Sequence, residues 1–220
     1  MKGERKMPTQ TFFNLPIDKQ KRLLDAASTE FSRVPLTEAS INNIIKLAEI
    51  SRGSFYQYFK DKEDLYYYFF ATLKQDSKKM LEDCLKEANG DLFLGYQNYF
   101  PKMLTMITED KQASFFKHMF LHMDYRTSRE VTPEAMKKRE CEHKKDRHHN
   151  HFADFVNADL LKIDSDEDFH SLFKVMMTFL FQTIGDAFAK ELPRDEVIAS
   201  FNKKLFWLRD GVYVKSEGEK

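Results

Sequence analysis

The chain has 220 residues, with 35 Lys/Arg balancing 35 Asp/Glu for a formal net charge of zero. That length suits one small domain plus one larger one, and two distant cysteines, Cys84 and Cys141, exclude a disulfide scaffold and suit reduced cytosolic thiols. Seven Gly, six Pro, little strand-like alternation and long runs at helical spacing predict an all-α protein.

The first residues, MKGERKMPTQTFFNLP, contain cations but no apolar run of signal-peptide length. No segment reaches the roughly 18 uncharged apolar residues of a membrane span, so a cytoplasmic chain is expected. Lys2, Arg5 and Lys6 invite comparison with a minor-groove arm; they are read here as a plain tail. Phe12, Phe13 and Leu15 are expected to anchor against the helix Lys19–Phe31, with a staple around Pro16 and Asp18 fixing its entry angle.

The segment Ser40 to Leu65, SINNIIKLAEISRGSFYQYFKDKEDL, reads as two short helices joined by a tight turn. Ser40 is expected to cap the first, with Ile41, Ile44, Ile45 and Ala48 on its apolar stripe and Asn42, Asn43 and Lys46 outside. Ser51 is the next cap. Phe55 and Phe59, four apart, define a buried face with Ile50, which leaves Arg52, Gly53, Ser54, Tyr56, Gln57 and Tyr58 on the other sides. Gly53, lacking a side chain, allows close approach to another backbone. Asp61 caps the following helix, and Lys62 stands at its first turn as a phosphate site. Outward aromatics and cations on a short helix suit major-groove insertion with phosphate clamping.

Residues 18 to 70 resemble the DNA-binding domain of the tetracycline-repressor (TetR) family of bacterial transcription regulators. The resemblance is carried by KQKRLLDAASTEF, SINNIIKLAEIS, RGSFYQYF and the KDKEDL run. It implies that Arg52, Ser54, Tyr56 and Gln57 face bases, with Gly53 beside them, that Ser40, Tyr58 and Lys62 meet phosphates, and that Phe55 and Phe59 lie in the domain core. Two departures are visible: Glu49 stands where the turn usually has Gly, at a cost of about 1–2 kcal/mol if left-handed, and Val34-Pro35-Leu36-Thr37 replaces a Gly-aromatic pair. Neither touches the groove-facing set.

Charge distribution agrees. Residues 1–62 hold eleven Lys/Arg and seven Asp/Glu, 11 − 7 = +4, so the remainder sums to −4. A basic head on an acidic body fits a chain that meets phosphate at one end.

A helix from Glu63 to about Ala88 follows, with Leu65, Phe69, Leu73, Met80 and Leu81 as its stripe and Asn89-Gly90 as its stop. The resemblance implies that it transmits ligand state to the DNA heads. Further helices are predicted over Phe93–Thr108, kinked near Pro101, then Gln112–Tyr125, Thr132–Asn157, Asp166–Lys190 and Arg194–Val214. Phe115, Phe116, Met119, Phe120, Phe152, Phe155, Phe173 and Met177 are candidate lining for an adaptable pocket holding a hydrophobic or aromatic effector; most must also serve simply as core.

The last two helices are apolar on more than one face and so require covering on several sides. Phe179, Phe181, Ile184, Phe201, Leu205 and Leu208 are the candidate dimer interface, and the resemblance implies a four-helix bundle made with symmetry mates. A two-fold dimer reads a near-palindromic double-stranded operator with half-sites about 34–36 Å apart or a multiple of that.

His118 and His122 lie four apart, and Cys141, His143, His148, His149 and His151 form a second cluster. Neither matches a closed zinc motif, and the second sits in a charge run. No cofactor is expected, and His118 and His122 remain weak metal candidates. Asp164, Asp166, Glu167 and Asp168 read as a helix cap, not a catalytic pair, and no phosphate loop or nucleophile elbow occurs, so no enzyme is expected. The expected organisation is an extension over 1–17, a three-helix helix-turn-helix domain over 18–65 and an effector-binding, dimerisation domain over 66–215. The expected function is a repressor released from DNA by a small effector. The alternatives are a metal- or haem-sensing regulator and a ligand-free architectural DNA binder.

Overall fold

A computed structural model of the chain describes residues 8–122 and 153–210. The α-helices among them are α1 (Gln10–Phe13), α2 (Ile17–Arg33), α3 (Ile41–Ala48), α4 (Arg52–Tyr58), α5 (Lys62–Glu87), α6 (Leu92–Glu109), α7 (Ala113–Leu121), α8 (Asp166–Lys190) and α9 (Arg194–Asp210). The expected all-α class is what the chain adopts.

Local chemistry sets the ends. Asp18 in the first turn of α2 and Arg33 in its last oppose the helix dipole. α3 stops at Glu49, which is left-handed (φ 54°, ψ 44°), and the Ile50 N–H donates to the Ile45 carbonyl at 3.0 Å. Ser51 Oγ accepts the Ser54 N–H at 3.0 Å to begin α4, and Asp61 accepts the Asp64 N–H at 2.8 Å to begin α5. α5 ends at Asn89 (φ 52°) and Gly90 (φ 81°), and Pro101 lies inside α6. Of the predicted helix Thr132–Asn157, only the end is described, and it forms a 3-10 turn over Ala153–Phe155.

The chain forms two compact units, cut differently from the linear division at residue 65. Among described residues the first holds 8–77 and 106–122, and the second holds 78–105 and 153–210. In the first, α2 packs on α3 and α7, and α1 packs on α4. Its core includes Phe12, Phe31, Ile44, Phe55, Phe59, Leu65 and Phe115. α7 belongs here because Phe115 meets the rings of Tyr66, Phe69 and Phe70 and Ser28 Oγ donates to Gln112 Oε1 at 2.8 Å.

In the second unit α8 packs on α9, and Phe100 stacks on Phe201 with centroids 3.9 Å apart. Part of the expected dimer interface is covered within the single chain. Ile184 on α8 and Phe201 and Leu205 on α9 are buried inside the single chain, where the two helices pack on each other and Phe100 of α6 covers Phe201. Phe179, Phe181 and Leu208 are half-buried. On α8 and α9 the exposed large apolar side chains are Val175 (40 % exposed), Phe206 (50 %) and Trp207 (45 %). α8 is also, by length and hydropathy, apolar enough to cross a membrane, with 22 % of its most apolar window buried. The sequence criterion of an uncharged run missed it because Lys174 and Asp186 interrupt the stretch.

Candidate nucleic-acid interface

α4 has seven residues and two unlike sides. Phe55, Tyr58 and Phe59 are buried, whereas Arg52, Gly53, Tyr56 and Gln57 are exposed and Ser54 is half-buried. Tyr58 is thereby corrected: expected outside, it is only 8 % exposed, with its ring 6.3 Å from that of Phe12. Positions 55, 58 and 59 share one helical face, and α1 covers it.

The exposed side is held by hydrogen bonds within the chain. The Arg52 guanidinium donates to Asn42 Oδ1 at 2.7 Å and to the Tyr56 hydroxyl at 3.2 Å, and it lies 5.5 Å from the Tyr56 ring centroid. Arg52 thus ties α4 to α3 across the exposed face. Gly53 has no positive φ, and an added Cβ there would meet only Ser51 Oγ at 3.7 Å, ordinary contact. The fold does not need glycine at 53. The Ser54 hydroxyl lies 2.9 Å from Ser51 Oγ.

Two candidate phosphate residues are engaged internally. Lys62 Nζ donates to the carbonyls of Thr37 and Ala39 at 2.9 and 3.0 Å, fastening the loop before α3. Ser40 occupies the N-cap position of α3, but its side chain makes no capping bond; its backbone N–H donates to Glu30 Oε1 at 2.8 Å.

Glu30 was missed by the sequence reading. It is 1 % exposed and accepts from Arg33 Nε and Nη2 at 3.0 and 2.8 Å, from Ser40 N–H, and from Asn43 Nδ2 at 3.2 Å. Burial pushes its carboxyl up, but the Arg33, Ser40 and Asn43 hydrogen bonds and the Arg33 charge together hold it below the usual glutamate value. The available signal was its place on the buried stripe of α2, between Ala26, Ala27 and Phe31. Arg22 donates to Glu49 Oε2 at 2.7 Å, bracing the left-handed turn from α2.

The candidate pocket residues are divided between the units. Phe115, Phe116 and Met119 are buried and Phe120 half-buried on α7, and Phe115 belongs to the first unit's core. Phe155, Phe173 and Met177 are half-buried in the second unit, and Phe152 lies outside the described residues. Also missed was Tyr96, fully buried in the second unit, whose hydroxyl donates to the Met177 thioether at 3.6 Å, a weak acceptor. Burial, then neighbouring Tyr99, raises its ionisation well above the usual phenol range, so it is a neutral donor.

The His118 and His122 ring centroids are 6.0 Å apart, and no cluster of three metal-ligating side chains occurs among the described residues. Lys2, Arg5, Lys6 and the 141–151 cluster lie outside the described residues.

Residues 23–69 match the family described as "Bacterial regulatory proteins, tetR family", and residues 91–212 match "Tetracyclin repressor-like, C-terminal domain". Two relatives from Bacillus subtilis (strain 168) are both called uncharacterized HTH-type transcriptional regulators. YhgD is 29 % identical over 72 residues, 33 % of this chain and 38 % of that one. YdgC is 34 % identical over 71 residues, 32 % of this chain and 36 % of that one. The chain therefore spans under two-fifths of the length of each relative. Among solved structures, FadR from Bacillus subtilis in complex with stearoyl-CoA aligns with a TM-score of 0.56 at 16 % identity, covering 88 % of this chain and 99 % of that one. A TetR transcriptional regulator from Rhodococcus sp. RHA1 aligns at 0.55 and 12 %, covering 89 % and 97 %. At these identities the structures share the fold. With the C-terminal family matched over more than half of the 220 residues and the N-terminal family over the helix-turn-helix, the chain belongs to the tetracycline-repressor family of transcriptional regulators.

Proposed function

We propose that this regulator is a homodimeric repressor that holds a near-palindromic DNA operator through α4 and releases it when a small apolar effector enters the second unit. The reading keeps residues 18–65 as the DNA-binding domain and 66–215 as the effector and dimerisation domain, and it places the protein in the cytoplasm with its DNA. The observation that carries it is the exposed side of α4: Arg52, Tyr56 and Gln57 around a glycine that the fold itself does not require. Arg and Gln are residue types that read base edges in the major groove. Lys62 and Ser40 act by shaping the loop and helix start that present backbone amides to phosphates, and Tyr58 acts from the core. α5 begins in the first unit and ends in the second, giving a continuous element along which effector state reaches α4.

For the effector, Tyr96 supports an apolar molecule bearing an acceptor oxygen, because a buried phenol whose partner is a thioether gains by exchanging it. The FadR neighbour was captured with stearoyl-CoA, which makes an acyl-CoA the first probe for this chain.

The test begins with duplexes selected from a random library by the parent protein. Arg52→Ala and Gln57→Ala each weaken binding to the selected duplex by about tenfold or more, the worth of one bidentate base contact, with oligomeric mass unchanged. Parent-like binding by both variants sinks the assignment of α4.

A further inference from the structure

Seven-residue helices do not hold themselves in water, and the last four carbonyls of any helix lack intrahelical partners. In α4 the Phe55 carbonyl accepts the Phe59 N–H at 2.9 Å. The last two, those of Gln57 and Tyr58, are met from the far N-terminal side of the chain. The Gln57 carbonyl accepts the Thr9 hydroxyl at 2.6 Å, and the Tyr58 carbonyl accepts the Thr9 N–H at 3.0 Å. Thr9 stands at the N-cap of its own helix, α1, yet its side chain makes no capping bond there. Its hydroxyl is turned to another helix.

Phe12, one helical turn on, has no solvent exposure. Its ring centroid lies 5.1 Å from Phe59, 5.5 Å from Tyr68 and 6.3 Å from Tyr58. Phe59 and Tyr58 are the C-cap and the last residue of α4. Polar and apolar contacts from residues 8–13 therefore converge on the same end of α4. The expected anchor for the following α2 is, in the folded chain, a clamp on the helix proposed to enter the groove.

We infer that residues 8–13 are a positioning element for α4, with Thr9 as its C-terminal cap supplied in trans along the chain and Phe12 as its pin. Without the cap, the turn carrying Tyr56 and Gln57 frays, and base contacts suffer while phosphate attraction does not. The inference rests on the reading of α4 as the groove helix.

The experiment uses the full chain, a library-selected duplex and a randomised duplex of equal length. Thr9→Val keeps the shape and the backbone N–H but removes the hydroxyl; Thr9→Ser keeps the donor. Thr9→Val is expected to weaken the selected duplex about three- to tenfold, the range for one lost neutral hydrogen bond. Binding to the randomised duplex and its salt dependence stay unchanged, since these come from phosphate charge. Thr9→Ser restores the affinity, and amide exchange over residues 56–59 quickens in Thr9→Val while that of α2 does not. Parent-like binding by Thr9→Val, with Arg52→Ala weakened in parallel, overturns the positioning role and leaves the functional reading standing. Equal loss on both duplexes, or no rescue by Ser, also overturns it. Parent-like binding by Arg52→Ala removes α4 from the groove, and the inference goes with it.

Discussion

Glu30 is a charge in the middle of an apolar stripe, and its neighbours explain how it stays there. A carboxylate without solvent is costly unless donors surround it, and here Arg33, Ser40 N–H and Asn43 all point at it. The result is a joint: the C-terminal half of α2 grips the first turn of α3, the segment in which α3 has no side-chain cap of its own. Glu30→Gln keeps the shape but sets an amide N–H₂ against existing donors, and it should cost about 1–3 kcal/mol of first-unit stability at neutral pH. The pH dependence has a definite sign. The folded carboxyl titrates below its ordinary value, so its contribution is fully present above about pH 4.3, the unfolded glutamate value. It is lost as pH falls through the lower folded value. Urea midpoints of parent and variant should converge under acid; a gap that persists or widens there contradicts the account.

Helix ends carry the same logic to larger pieces. Gly90 takes φ 81°, and a Cβ on it would lie 2.7 Å from the backbone N of Asn157, whose N–H donates to the Gly90 carbonyl at 2.9 Å. The stop of α5 is thus also the seat for the chain entering α8. Gly90→Ala combines left-handed strain with a backbone clash and should destabilise the second unit by about 2 kcal/mol or more; a melting temperature within a degree of the parent contradicts this. Such stops were legible in the sequence, because Asn-Gly, Ser51 and Asp61 act on residues within a few positions of themselves. The helix-turn-helix was legible for the same reason, and Glu49 adopts the strained turn that its position implied. What escaped were contacts made across long separations. Tyr58 looks outward until α1 covers it, and Lys62 looks free until the Thr37 and Ala39 carbonyls reach it. Ile184, Phe201 and Leu205 look like a subunit interface because periodicity marks burial without saying which chain supplies the cover. Thr9 carries no local signal at all, since its partner lies 48 residues away.

At the scale of the molecule, the question is what covers the outward apolar surface of α8 and α9. Val175, Phe206 and Trp207 are each about half exposed or close to it, and only a minor share of the apolar window of α8 is buried by the chain itself. Lys203 lies 5.1 Å from the Trp207 ring centroid and Arg209 lies 6.0 Å from that of Phe206. Phe206 and Trp207 stay about half exposed beside these cations. In the proposed homodimer a second copy meets the first through this surface, which covers it on both copies and brings two α4 helices to a two-fold operator. Phe206→Glu with Trp207→Glu puts two like charges into that patch, doubled by symmetry. Sedimentation equilibrium should move from twice 26.1 kDa for the parent to 26.1 kDa for the variant. Both units should keep their helical content, because neither side chain belongs to the buried core. Operator affinity should fall further than in Arg52→Ala, since losing the partner removes an entire half-site's contacts and not a single side chain's. A parent that sediments as a monomer, or a variant that stays dimeric and binds the selected duplex undiminished, would place the subunit contact on another face.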